Sequence, residues 1–60
     1  MLEKIKELAK KKGVTVMQLE KDCGLRSGAV YHWNDSKPSY DKVLTVAKYL
    51  GVTVEELTAS

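Results

Sequence analysis

Residues 15 to 34, TVMQLEKDCGLRSGAVYHWN, decide the fold, because two readings of period and punctuation meet inside them. Thr15 and Gln18 have the T-x-x-Q spacing of a capping box, so a helix is expected to start there and run through Val16, Leu19 and Cys23. Gly24 breaks it after about two turns. Beyond Leu25, the apolar residues Ala29, Val30 and Trp33 fit one helical face, which predicts a further helix starting near Arg26 or Ser27. The connection between the two helices is therefore very short.

Working outward, Leu2, Ile5, Leu8 and Ala9 recur at helical spacing. Glu3 and Glu7 come early and Lys10 to Lys12 late, as the helix dipole favours, and Gly13 supplies a stop. On the other side, "NDSKP" at residues 34–38 is a cluster of turn formers. Ser39 is placed to cap a fourth helix with Asp41 in its first turn and an apolar stripe of Tyr40, Val43, Leu44, Val46, Ala47 and Leu50, ended by Gly51. Thr53 and Glu56 form a second capping box, opening a short final helix that brings Val54 or Leu57 to the core. Val52 to Val54 alternates, yet it is too short and has no partner run, so no strand is expected. The chain is read as all-α, one domain over 1–60, with its helix-turn-helix at about 15–34.

The bulk composition agrees. At 60 residues the chain sits near the lower size for folding without disulfides or metal. A content of 43% hydrophobic and 30% charged residues supplies enough apolar surface to offset ordering entropy, which excludes a disordered tail. Charges interrupt every apolar run, so no membrane span or signal peptide fits, and the cytoplasm is the expected compartment. Cys23 has no partner for a disulfide and reads as a small buried hydrophobe. With His32 as the one histidine, a four-ligand zinc site is excluded. No phosphate-binding glycine loop or other cofactor motif is present. Ser27, His32 and Asp35 do not make a catalytic triad, because residues 27 and 32 diverge on a short helix. The chain is read as no enzyme and as binding no evident small molecule.

Net charge is only +2, but its distribution is uneven. Residues 1–34 hold Lys4, Lys6, Lys10, Lys11, Lys12, Lys21 and Arg26 against four acids, whereas residues 53–60 hold Glu55 and Glu56 and no base. The amino-terminal half is the better candidate for meeting an anion. Two short helices across a glycine-containing turn are the helix-turn-helix geometry, in which the second helix lies in a DNA major groove.

Lys12, Gly13 and Thr15, then Leu19, Gly24, Val30, Trp33 and Pro38, then Val43, Val46, Ala47, Leu50, Gly51 and Val52, fall at fixed spacings over nearly all the chain beyond its first helix. In these the sequence resembles the phage-repressor, lambda repressor-like (Cro/CI, Xre) helix-turn-helix family. The resemblance implies a compact five-helix bundle that binds a palindromic operator in double-stranded DNA as a transcriptional repressor, usually as a homodimer. Three positions depart from the pattern. Val16 stands where members often have a Gln that touches the DNA backbone, and Val16 cannot make that hydrogen bond. Glu20 stands where a small residue is usual, so its carboxylate is expected to need an exit to solvent. Arg26 replaces the usual Ser or Thr before helix three, which leaves Ser27 as a substitute cap.

Carried over position by position, the resemblance puts Arg26, Ser27, Gly28, Tyr31 and His32 on base edges. Arginine suits guanine O6 and N7, and Tyr31 suits a thymine methyl. Gly28 would either sit in a first turn where glycine costs little or let the helix approach a phosphate. Thr15, Ser36, Lys37 and Tyr40 are the implied phosphate contacts, and Lys12 joins them from the basic cluster that also complements the first helix's dipole. Leu44, Tyr49, Val54 and Leu57 exceed what a small core needs and suggest a two-fold interface. A protein-interaction module of the same fold, an antitoxin or a regulator's partner, is the alternative function.

Overall fold

A computed structural model of the chain describes residues 1–33 and 38–58. In order it contains α1 (Leu2–Lys12), α2 (Val16–Asp22), a 3-10 helix (Ala29–His32), α3 (Tyr40–Leu50) and α4 (Val54–Thr58). The all-α expectation holds, with no strand among the described residues. Among the described residues there are four α-helices, and the third of the five expected segments is a four-residue 3-10 helix.

Local chemistry sets the boundaries. α1 ends at Gly13, whose left-handed φ of 87° turns its N–H back to the carbonyls of Ala9 and Lys10. Thr15 caps α2 as expected, its Oγ1 accepting from the Gln18 N–H at 3.0 Å. The other half of that capping box is absent. The Gln18 amide instead donates forward to Asp22 Oδ1 at 2.8 Å, one turn along the same face. Ser39 occupies the N-cap of α3, but its side chain makes no capping hydrogen bond. At the second expected box, Thr53 Oγ1 accepts from the Glu56 N–H at 3.2 Å and opens α4.

The core gathers Leu2, Ile5 and Ala9 of α1, Leu19 of α2, Val30 and Trp33 around the 3-10 helix, Val43, Val46 and Ala47 of α3, and Leu57 of α4. α1 packs on α2 and α3, the 3-10 helix packs on α2, and α4 closes on α3. Every element therefore contributes to one apolar cluster. Tyr40, read as part of the α3 stripe, is instead 65% exposed, because the first residue of that helix projects past its packed face. Leu57 is fully buried, so it is unavailable to any dimer interface, while Leu44, Tyr49 and Val54 are half-buried.

Tyr49 has a further partner. Its hydroxyl donates to Asp22 Oδ2 at 2.6 Å, and Lys12 Nζ lies 5.0 Å from the centre of its ring. The free Cys23 is half-buried at the end of α2, where burial, and after it the charge of Asp22, push its thiol pKa up. That suits a packing residue rather than a reactive one. No helix among the described residues is long and apolar enough to cross a membrane.

Candidate nucleic-acid interface

The segment between α2 and α3 is built differently from the expected helix. Gly24 ends α2 with a left-handed φ of 72°, and the N–H of Leu25 after it donates back to the Glu20 carbonyl at 2.7 Å. The Ala29 N–H then donates to the Arg26 carbonyl at 3.0 Å, closing a four-residue turn over Ser27 and Gly28. Gly28 has φ 82° and ψ 0°, the values of the third residue of a type II turn, which a side-chain-bearing residue adopts at a cost. Only beyond it does the chain coil, through Tyr31 N–H to Gly28 O and Trp33 N–H to Val30 O, both at 3.1 Å.

The segment thus starts as a turn, and its helix starts two or three residues later than expected. Gly28 supplies the positive φ that the turn requires. A Cβ built on it would meet nothing within 4 Å.

Ser27 does not cap this helix; Glu20 does. The Gly28 N–H donates to Glu20 Oε1 at 2.9 Å and the Val30 N–H to Oε2 at 3.0 Å. The expected exit of this carboxylate to solvent is overturned, for Glu20 is 2% exposed. It points inward because two backbone donors of the turn, which cannot pair within so short a helix, converge on its two oxygens. A carboxylate is rarely buried unless so paired.

Ala29, Val30 and Trp33 anchor the segment: Val30 and Trp33 are in the core and Ala29 is half-buried. Outward face Arg26, Ser27, Tyr31 and His32, all exposed. Arg26, Ser27 and His32 line an open cleft of about 580 Å³, together with Pro38, Ser39 and, from α3, Lys42. Tyr31 lies elsewhere on the segment, with Lys6 Nζ of α1 at 5.5 Å from its ring centre.

The predicted contacts are therefore only partly gathered. Arg26, Ser27 and His32 meet at the cleft, Gly28 lies in its adjoining turn, and Tyr31 is beside α1. Thr15 is exposed at the start of α2. Lys12 does not line the cleft and stands over Tyr49. Ser36 and Lys37, with Asn34 and Asp35 of the expected turn, lie outside the described residues.

Lys42 and Lys6 were not singled out by sequence. For Lys42 a signal exists, since it lies one turn after Ser39 on the same face of α3. For Lys6 none does, because its position beside Tyr31 depends on how α1 packs. Among the described residues no group of His, Cys, Asp and Glu could hold a metal ion.

A short helix, a tight glycine turn and a second coiled segment whose outer face carries arginine, serine, tyrosine and histidine define a helix-turn-helix unit. The profile of the Cro/C1-type HTH DNA-binding domain matches residues 4–59, and the chain belongs to that family. Searches of curated proteins and of solved structures return no match.

Proposed function

We propose that the chain is a transcriptional repressor of phage or prophage type that occupies a palindromic operator, with residues 15–34 of a single domain placed against the major groove. The observation that carries this reading is the cleft, an open surface that Arg26 and His32 line together with Lys42 of α3. Basic groups from two elements on one groove suit a backbone bordered by readable base edges.

In this reading Arg26, Ser27, Gly28, Tyr31 and His32 meet base edges. Thr15, Ser36, Lys37, Tyr40 and Lys12 meet phosphates, and Lys42 joins them. The segment enters the groove as a type II turn followed by one short coil, so Arg26 and Ser27 project from a turn rather than from a helix face. The longest extent of the domain is 25 Å, so one copy covers one half-site. Two copies on half-sites about 34 Å apart would pair across a palindrome. Of the four apolar groups suggested for that pairing, Leu57 is buried, and half-buried Leu44, Tyr49 and Val54 are the ones that could take part. The cytoplasm is the compartment that such a role requires.

The experiment is selection from random-sequence duplexes followed by fluorescence anisotropy across a salt series, with native chain and Arg26→Ala. Log affinity should fall with log salt by about 0.9 for each phosphate neutralised. The selected site should be a palindrome whose preference relaxes at one position in each half-site in Arg26→Ala. Equal weakening on all sequences would move Arg26 to a phosphate. No binding at low salt would reject the DNA reading in favour of a protein-interaction module. For that alternative, the specific feature is Met17, 71% exposed beside an apolar notch of about 250 Å³ lined by Leu25.

A further inference from the structure

We infer that Glu20 is a positioning residue for sequence reading: by accepting the Gly28 and Val30 N–H groups it holds Arg26 and Ser27 in the turn from which they reach DNA. The inference rests on the DNA reading proposed above and assigns the source of its geometry. Its basis is the convergence of three observations on one spot. Glu20 is 2% exposed, each of its two oxygens accepts a separate backbone N–H, and Gly28, the first of those donors, has a positive φ.

The chemistry of the side chain matters as much as its place. Two donors eight and ten residues downstream require two acceptors on one rigid plane, which a carboxylate provides. A glutamine of the same shape has one acceptor, and its amide nitrogen would be set against an N–H. The same bonds remove the Gly28 and Val30 amides from service as an anion site, because Glu20 already fills the position that a phosphate would take at this helix start. Charge attraction to DNA then falls to side-chain cations, while Glu20 governs where the reading groups point. Affinity for DNA in general and preference among sequences should therefore separate on mutation of this one residue.

Glu20→Gln tests this in the full chain, with folding verified by far-ultraviolet circular dichroism. The first measurement is amide hydrogen exchange without DNA, where Gly28 and Val30 should exchange about tenfold faster than in the native chain while Val46 is unchanged. The second uses the duplex most enriched by the native chain and a scrambled duplex of the same composition. The affinity ratio between them should fall by about tenfold, with the salt slope on the scrambled duplex retained.

A folded Glu20→Gln whose ratio stays within about twofold of native, or whose Gly28 and Val30 amides exchange at the native rate, overturns the inference. Should Glu20→Gln fail to fold, Gly28→Ala and Gly28→Asn take its place, since both keep Glu20 and only asparagine tolerates a positive φ. The ratio should fall in the alanine variant and recover in the asparagine variant; no difference between them overturns the inference. A native chain that selects no duplex overturns the DNA reading and this inference together. Loss in the variants alone leaves both standing.

Discussion

The Tyr49 hydroxyl donates a 2.6 Å hydrogen bond to Oδ2 of Asp22, tying the end of α3 to the end of α2 across 27 residues of sequence. The bond holds the Asp22 carboxyl below its ordinary pKa of 3.8, with Gln18 assisting, and raises that of Tyr49 from 10.0 to about 12. Both ends of the pH range follow. The depressed acid contributes stability above pH 3.8 that is lost as pH falls through its folded value. The raised phenol contributes stability below pH 10.0 that is lost as pH climbs toward about 12. Melting temperature measured against pH should decline at both extremes. Tyr49→Phe should flatten both declines, and a variant with the native profile would show the bond to be unimportant in solution.

Gly28 should be replaceable at a cost set by backbone angle alone, since a side chain there has open space but φ is 82°. Gly28→Ala is expected to destabilise by about 1 kcal/mol, the usual penalty of the left-handed region. Gly28→Asn should lose clearly less. For a chain of this length the alanine variant should melt about 4–8 °C lower. Equal melting temperatures for glycine and alanine would show that the type II turn does not form.

What was legible in the sequence is what short-range chemistry decides. Gly13 and Gly51 stop helices with left-handed φ of 87° and 76°, and Thr15 and Thr53 cap the helices that follow. Such signals act within four residues and need no knowledge of packing. Glu20 failed the same treatment because its partners lie eight and ten residues away, and a charged residue on a short helix ordinarily faces water. Apolar periodicity placed Val30 and Trp33 correctly in the core, yet it could not separate an α-helix from one 3-10 turn, since four residues complete barely a turn of either. The pair Ser27 and Gly28 did carry a turn signal, outweighed by the apolar spacing around it. The cleft itself joins residues on both sides of 34–37, so Lys42 becomes a candidate only once α3 is docked.

Leu57 shows how much depends on the shortest α-helix. α4 has five residues, but its leucine is fully buried between elements from the rest of the chain. Leu57→Ala should cost about 2–5 kcal/mol through lost burial and the cavity left behind. That is comparable to the whole stability of a domain this small, about 3–5 kcal/mol. The variant should therefore be largely unfolded at 37 °C, seen as loss of helical circular dichroism and a shift of Trp33 fluorescence toward that of exposed indole. Val54→Ala, removing a half-buried side chain, should stay folded and lose about 1 kcal/mol. A folded Leu57→Ala would mean that α4 can leave the core without consequence.

Lys42 provides the sharpest division of labour at the cleft. It lines the cleft with Arg26 and His32 but from α3, outside the segment proposed to read bases, so its charge should serve phosphate and not sequence. In anisotropy titrations Lys42→Ala should weaken the selected and scrambled duplexes by the same factor and make the salt slope shallower by about 0.9. Lys42→Arg should restore both, because either cation neutralises a phosphate. Stability should change by less than about 0.5 kcal/mol, as expected for an exposed side chain. An unchanged slope would place Lys42 off the DNA. A loss confined to the selected duplex would move it among the base-reading residues, extending the readout from the turn into α3.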